Sequence, residues 1–128
     1  MKKIEHFNSS SESDTLDFAY KLAKRIKVGT VVCLDGELGV GKTVFAKGFA
    51  RGLGVEDEIT SPTFTIVQSY KGEVLFHHFD VYRISDISEF EEIGYEEFFY
   101  GNGICLVEWS KLVEEAIPKN AVKVTISK

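Results

Sequence analysis

The chain has 128 residues, 44% of them hydrophobic, and 20 acidic against 15 basic side chains leave a formal charge of −5. That length suits one domain spanning 1–128, able to bury roughly two-thirds of its unfolded surface, and the acidic balance lacks the basic footprint of a protein that grips nucleic acid by itself. No apolar run approaches a membrane span and the Met-Lys-Lys start lacks a signal-peptide core, so a cytoplasmic protein with no membrane association is expected.

Residues 3–7 alternate in polarity and predict a short edge strand. Asn8 to Ser13 is a polar capping segment, with Ser11 and Asp14 in the spacing of a capping box. Leu16, Ala19, Leu22, Ala23 and Ile26 trace one face of a helix ending near Val28-Gly29. Thr30 to Asp35 is apolar and β-branched, which predicts a buried strand.

Gly36-Glu37-Leu38-Gly39-Val40-Gly41-Lys42-Thr43 then fits G-x-x-x-x-G-K-[ST], the phosphate-binding P-loop. Glycines let backbone N–H groups of this loop wrap a polyphosphate without a side chain in the way. Lys42 supplies a point charge for the β/γ-phosphates, and the Thr43 hydroxyl is a hard oxygen for Mg²⁺. Phe45, Ala46, Phe49, Ala50 and Leu53 recur at helical spacing, with Gly54 as a C-terminal cap. The helix therefore starts at the phosphate, its free N–H groups facing the anion.

A polar connection through Ile59-Thr60-Ser61-Pro62 follows. Its hydroxyls, Thr60 among them, either serve as a nucleotide-ordered switch or merely join helix to strand. Residues 63–70 predict a strand, Lys71-Gly72-Glu73 a tight turn, and 74–82 an antiparallel return strand, so the sheet is mixed. Ser85 or Asp86 caps a helix bearing Ile87, Phe90 and Ile93 and stopped at Gly94; a second short helix runs from Tyr95 to Tyr100. Gly103 to Trp109 predicts another buried strand, followed by a helix to about Ile117, a break at Pro118 and a last strand over 121–127. The expected architecture is α/β, a P-loop NTPase-like three-layer sandwich with a mixed, mostly parallel central sheet. Cys33 and Cys105 fall inside apolar strands and read as buried free thiols; the cysteines and His6, His77 and His78 show no metal-ligand spacing.

A P-loop needs a further acid for its Mg²⁺, commonly at a strand end. Ile104-Cys105-Leu106-Val107-Glu108 is the Walker-B pattern with Glu as its acid, and Leu75 to Asp80 also ends in a carboxylate. Strand alternation puts His78, Asp80 and Tyr82 on one face. Trp109, beside Glu108, either covers the nucleotide or closes the core. The acidic stretch from Asp86 to Glu97 is the solvated face of helices or a docking surface for a basic partner.

Gly36 to Thr43, Thr60 to Phe64, His78-Phe79-Asp80-Val81-Tyr82-Arg83, Glu89 to Gly94 and Cys105 to Trp109 together, in this order, resemble the YjeE/TsaE family of bacterial ATPases required for threonylcarbamoyladenosine modification of tRNA. The likeness runs from about residue 4 to the last residue. It implies a small Mg²⁺-dependent ATPase working with the transferase TsaD and its partner TsaB, touching tRNA only through that complex. It places phosphate and Mg²⁺ binding on Lys42 and Thr43, favours Glu108 as metal ligand, and makes Asp80 a group that orders water or supports the metal from behind its ligands; in the mechanism these roles suggest, Thr60 joins Asp80 in ordering the attacking water. It also puts Ser11, Glu12 or Ser13 near the adenine, and leaves open any contact that relatives make with a longer C-terminal tail.

Arginine is scarce (Arg25, Arg51 and Arg83), so slow intrinsic hydrolysis with stimulation by a partner is expected. A small-molecule kinase would need an arginine-bearing lid and an acceptor pocket, and a GTPase an N-K-x-D-type motif; neither pattern is present. A module that senses nucleotide without productive hydrolysis uses the same residues and stands as the alternative.

Overall fold

The computed structural model describes residues 3–8, 11–36, 41–59, 66–82 and 84–127. In chain order its elements are β1 (Lys3–Asn8), α1 (Glu12–Arg25), β2 (Val31–Gly36), α2 (Lys42–Gly52), β3 (Val67–Lys71), β4 (Leu75–Asp80), α3 (Ile87–Glu92), α4 (Tyr95–Phe99), β5 (Ile104–Glu108), a 3₁₀ segment (Ser110–Ala116) and β6 (Val122–Ser127). The strands form one sheet in the order β1-β6-β2-β5-β4-β3. Every neighbouring pair is parallel except the β3–β4 hairpin, which gives the mixed, mostly parallel sheet expected from the sequence.

β2 sits inside the sheet and is covered on both faces, so it reads as a continuous apolar run rather than an alternating one. Val32 and Leu34 pack with Ala19, Leu22, Phe45 and Phe49 of α1 and α2. Val31 and Cys33 point the other way, into a cluster with Phe79, Phe90, Phe99 and Val113. Those two cores separate the three layers. Each fully buried phenylalanine contributes about 3 kcal/mol of apolar burial.

Local chemistry explains where the helices begin. The Ser11 hydroxyl accepts the Asp14 N–H at 3.1 Å, and Asp86 caps α3 by accepting from the Ser88 N–H at 2.7 Å. α1 lies directly on α2 because Gly48 and Gly52 have no side chain there. A Cβ on Gly48 would fall 2.5 Å from the Leu16 carbonyl oxygen, and one on Gly52 2.5 Å from the Ala23 Cβ. The short helices α3 and α4 are held by aromatic packing, with Phe79 against Phe90 at 5.6 Å and against Phe99 at 5.4 Å.

One element departs from expectation. The stretch after β5 is not an α-helix but a 3₁₀ segment, broken at Val113 (φ −127°, ψ 30°). It is only seven residues long and follows Trp109 in the left-handed region at φ 62°. Pro118 comes two residues after its last residue, Ala116, so an α-helical nucleus has no room to propagate. β3 begins at Val67, while residues 60–65 of the predicted strand and loop lie outside the described residues. Among the described residues, no helix is long and apolar enough to cross a membrane.

Candidate functional site

The C-terminal ends of the parallel strands β2, β5 and β4 lie side by side, and chemistry-bearing residues collect there. This edge of an open α/β sheet is where connecting chains diverge and leave a crevice. β2 ends at Asp35-Gly36, β4 at Asp80 and β5 at Glu108. Asp80 and Glu108 are register partners, so their side chains project from neighbouring positions on one face, about 4.8 Å apart along the sheet.

α2 starts at this edge. Its N-cap is Gly41 at φ 95°, a conformation that suits glycine, and no side chain caps the helix. A Cβ at Gly41 would meet nothing within 4 Å, so the approach to the first N–H groups is open among the described residues. Lys42, next in sequence, is only 7% exposed. Its Nζ donates to the Gly36 carbonyl at 3.1 Å and lies 3.6 Å from the centre of the Trp109 ring. No carboxylate among the described residues pairs with it at salt-bridge distance. A nearly buried cation held by one carbonyl and one aromatic face is electrostatically suited to an incoming anion. Thr43 follows, exposed, in the first turn of α2.

The acids are held differently. Glu108 is 4% exposed, and its Oε2 lies 2.6 Å from Nε2 of the fully buried His78. Asp80 is half-buried, and its Oδ1 accepts the Tyr82 backbone N–H at 3.1 Å. Burial pushes the Asp80 carboxyl above its ordinary range, and the neighbouring Glu108 charge adds to that; the Tyr82 N–H, His78 and Lys42 oppose it. Trp109 is the one non-glycine residue with positive φ among the described residues. Its ring is wedged between Lys42 and the Tyr82 ring, whose centre is 4.7 Å away. The next residue, Ser110, donates from Oγ to Asp35 Oδ1 at 3.2 Å and so ties the turn after β5 to the start of the P-loop. These contacts hold the left-handed turn in place.

The fold thus brings Gly41, Lys42, Asp80, Glu108 and Trp109 to one sheet edge, with Thr43 one residue into the adjoining helix. Ser11 and Glu12 stand at the start of α1, where the Ser11 hydroxyl is already engaged as the cap and Glu12 is exposed. Glu37, Leu38, Gly39, Val40 and Thr60 lie outside the described residues. Sequence reasoning put His78 on the same face as Asp80 but did not find its bond to Glu108. The available signal was parity: His78 is two residues before the strand-end acid, on the face shared by the adjacent strand's own terminal acid.

The donor chemistry fits Mg²⁺. Thr43 hydroxyl and Glu108 carboxylate are hard oxygens, and among the described residues no three His, Cys, Asp or Glu side chains form an all-protein cage. Mg²⁺ is usually held in this sparse way, by one or two protein ligands together with substrate phosphates.

Residues 9–128 match the family model described as "Threonylcarbamoyl adenosine biosynthesis protein TsaE". The chain belongs to the TsaE family. A TsaE protein of Bacillus subtilis, named as a tRNA threonylcarbamoyladenosine biosynthesis protein, is 43% identical over 129 residues, covering 100% of this chain and 80% of the relative. One from Treponema pallidum is 41% identical over 118 residues, covering 92% of this chain and 87% of the relative. The crystal structure of B. subtilis YdiB superposes with a TM-score of 0.75 at 40% identity, covering 91% of this chain and 72% of that one. The TsaE match spans every strand and helix that contributes to the sheet-edge site.

Proposed function

We propose that this chain is a cytoplasmic, ATP-binding and slowly ATP-hydrolysing component of tRNA threonylcarbamoyladenosine synthesis, acting with TsaD and TsaB. Membership of the TsaE family supports the pathway. The observation that carries the nucleotide reading is Lys42, a nearly buried ammonium held, among the described residues, by the Gly36 carbonyl and the Trp109 ring at a helix N-terminus that no described side chain caps.

In this reading, P-loop amides and Lys42 hold the β- and γ-phosphates, and Lys42 exchanges its Gly36 contact for phosphate oxygens. Thr43 and Glu108 hold Mg²⁺, which when bound neutralises phosphate charge. Asp80, together with Thr60, orders the attacking water. Its raised proton affinity suits a group that takes up a proton as water attacks. Trp109 flanks the phosphate end of the nucleotide, and Ser11 or Glu12 borders the base. Contact with tRNA is made through the complex.

Phosphate release measured with and without TsaD and TsaB tests the reading. Hydrolysis is expected to be slow alone and faster in the complex; equal rates would refute partner stimulation. Glu108→Ala is expected to abolish single-turnover phosphate release within the complex. If the wild-type complex also released none, the chain would be a nucleotide sensor rather than an ATPase.

A further inference from the structure

His78 lies two residues before Asp80 and is 0% exposed, yet nothing in the hydrolytic scheme uses it. Its ring stacks on Phe76 at 5.9 Å with the planes 12° apart, and Phe76 is itself packed against Phe49 at 5.7 Å. The imidazole therefore has a fixed plane, and that plane aims Nε2 at Oε2 of Glu108, 2.6 Å away. The opposite nitrogen, Nδ1, is buried and has no hydrogen-bond partner among the described residues.

Those two facts favour a hydrogen on Nε2 of His78. At 2.6 Å a proton must lie between Nε2 and Oε2. If it belonged to Glu108, a neutral His78 would carry its own hydrogen on Nδ1, a buried donor with no acceptor among the described residues. With the hydrogen on Nε2, the ring donates to the Glu108 carboxylate, and only an acceptor lone pair at Nδ1 is left unmatched among the described residues. The bond occupies Oε2. Oε1 carries no hydrogen bond among the described residues.

We infer that His78 is a positioning residue: its Nε2–H holds Oε2 of Glu108, so the carboxylate presents Oε1 alone and the site prefers Mg²⁺ to Ca²⁺. The inference rests on the Mg²⁺–nucleotide reading above. Its physical basis is that Mg²⁺ takes single oxygens in a tight octahedron, whereas Ca²⁺ accommodates six to eight oxygens and readily uses both oxygens of one carboxylate. A partner that occupies one carboxylate oxygen therefore works against Ca²⁺. Groups that orient metal ligands in this way typically change metal affinity about 10- to 100-fold when removed.

The test combines spectroscopy on the metal-free wild-type chain with calorimetry on variants. Long-range ¹H–¹⁵N NMR of His78 is expected to show a protonated Nε2; a bare Nε2 would overturn the inference, and this readout needs no variant to fold. His78→Phe keeps a ring against Phe76 and removes the donor, while His78→Gln keeps an N–H donor near the position of Nε2. Affinity for a non-hydrolysable ATP analogue is measured in Mg²⁺, in Ca²⁺ and in EDTA. His78→Phe is expected to lower the Mg²⁺-to-Ca²⁺ affinity ratio by about tenfold with the EDTA value unchanged, and His78→Gln to stay close to wild type. A His78→Phe ratio equal to that of wild type would overturn the inference while Glu108→Ala, by losing metal dependence, still upheld the parent reading. Wild-type affinity that is the same in Mg²⁺, Ca²⁺ and EDTA would overturn both.

Discussion

Asp80 is a single side chain whose burial costs stability at neutral pH. Burial raises its proton affinity on folding, so the ionised form is less favourable in the folded chain than in the unfolded one. The resulting loss of stability is present at pH values above the raised folded value. It diminishes as the pH falls through that value and is gone below the ordinary carboxylate range, where both states are protonated. Asparagine keeps an oxygen for the Tyr82 N–H and carries no charge. Asp80→Asn is therefore expected to melt at a higher temperature than wild type at pH 7, with the gain shrinking at pH 4, while hydrolysis within the complex falls. Thermal scans at the two pH values and phosphate release check the two halves separately. Cys105 makes the opposite case, a nucleophile disabled by its surroundings. Burial pushes its thiol up to about 12, and its Sγ–H donates to the Phe98 carbonyl at 3.3 Å. Cys33 is equally enclosed. Neither thiol is expected to react with a disulfide reagent in the native protein at pH 8, and both are expected to react in denaturant; one fast native thiol would contradict this placement.

Two glycines decide how α1 and α2 meet. An added methyl at Gly48 collides with the Leu16 backbone rather than with a movable side-chain tip. Gly48→Ala should therefore destabilise by about 1–3 kcal/mol through forced helix displacement. Lys47→Ala, on the exposed side of the same helix, should stay within about 0.5 kcal/mol. Urea denaturation of both variants measures the contrast. Elements with a strong local signal were legible in the sequence. The β-branched run of β2, the Ser11 cap and the Gly72 turn each state their own geometry, and of the two candidates Ser85 and Asp86 it is Asp86 that caps α3. The stretch from Ser110 to Ala116 was not legible, because its 3₁₀ form follows from a left-handed Trp109 that contacts distant in the sequence hold in place. The same distinction applies to the site. Alternation along β4 put His78 and Asp80 on one face, but which strand lies beside β4 is a tertiary fact. The His78–Glu108 bond joins residues 30 apart in sequence and exists only once β5 pairs with β4 at Asp80↔Glu108.

The molecule as a whole couples its two layers of helices through the strand ends that carry the site. α2 belongs to one core and the 3₁₀ segment after β5 to the other, yet Lys42 meets Trp109 and Asp35 meets Ser110 across the edge between them. A nucleotide bound there would engage groups from β2, α2, β4 and β5 together, an arrangement that exists only in the folded state. Binding of that kind stabilises the entire domain by mass action, about 2.7 kcal/mol at a ligand concentration of 100 times Kd. For a domain of this size that corresponds to a rise in melting temperature on the order of 10 °C. ATP with Mg²⁺ is expected to produce such a shift in one cooperative transition. Lys42→Ala is expected to melt cooperatively without ligand and to lose most of the shift. Tripolyphosphate separates charge attraction from nucleotide recognition: it should give a smaller rise than ATP at equal concentration, because it occupies the P-loop and leaves the base and ribose contacts unmade. An equal rise would mean that the phosphate cradle alone accounts for binding, and an unchanged shift in Lys42→Ala would remove this lysine from the site.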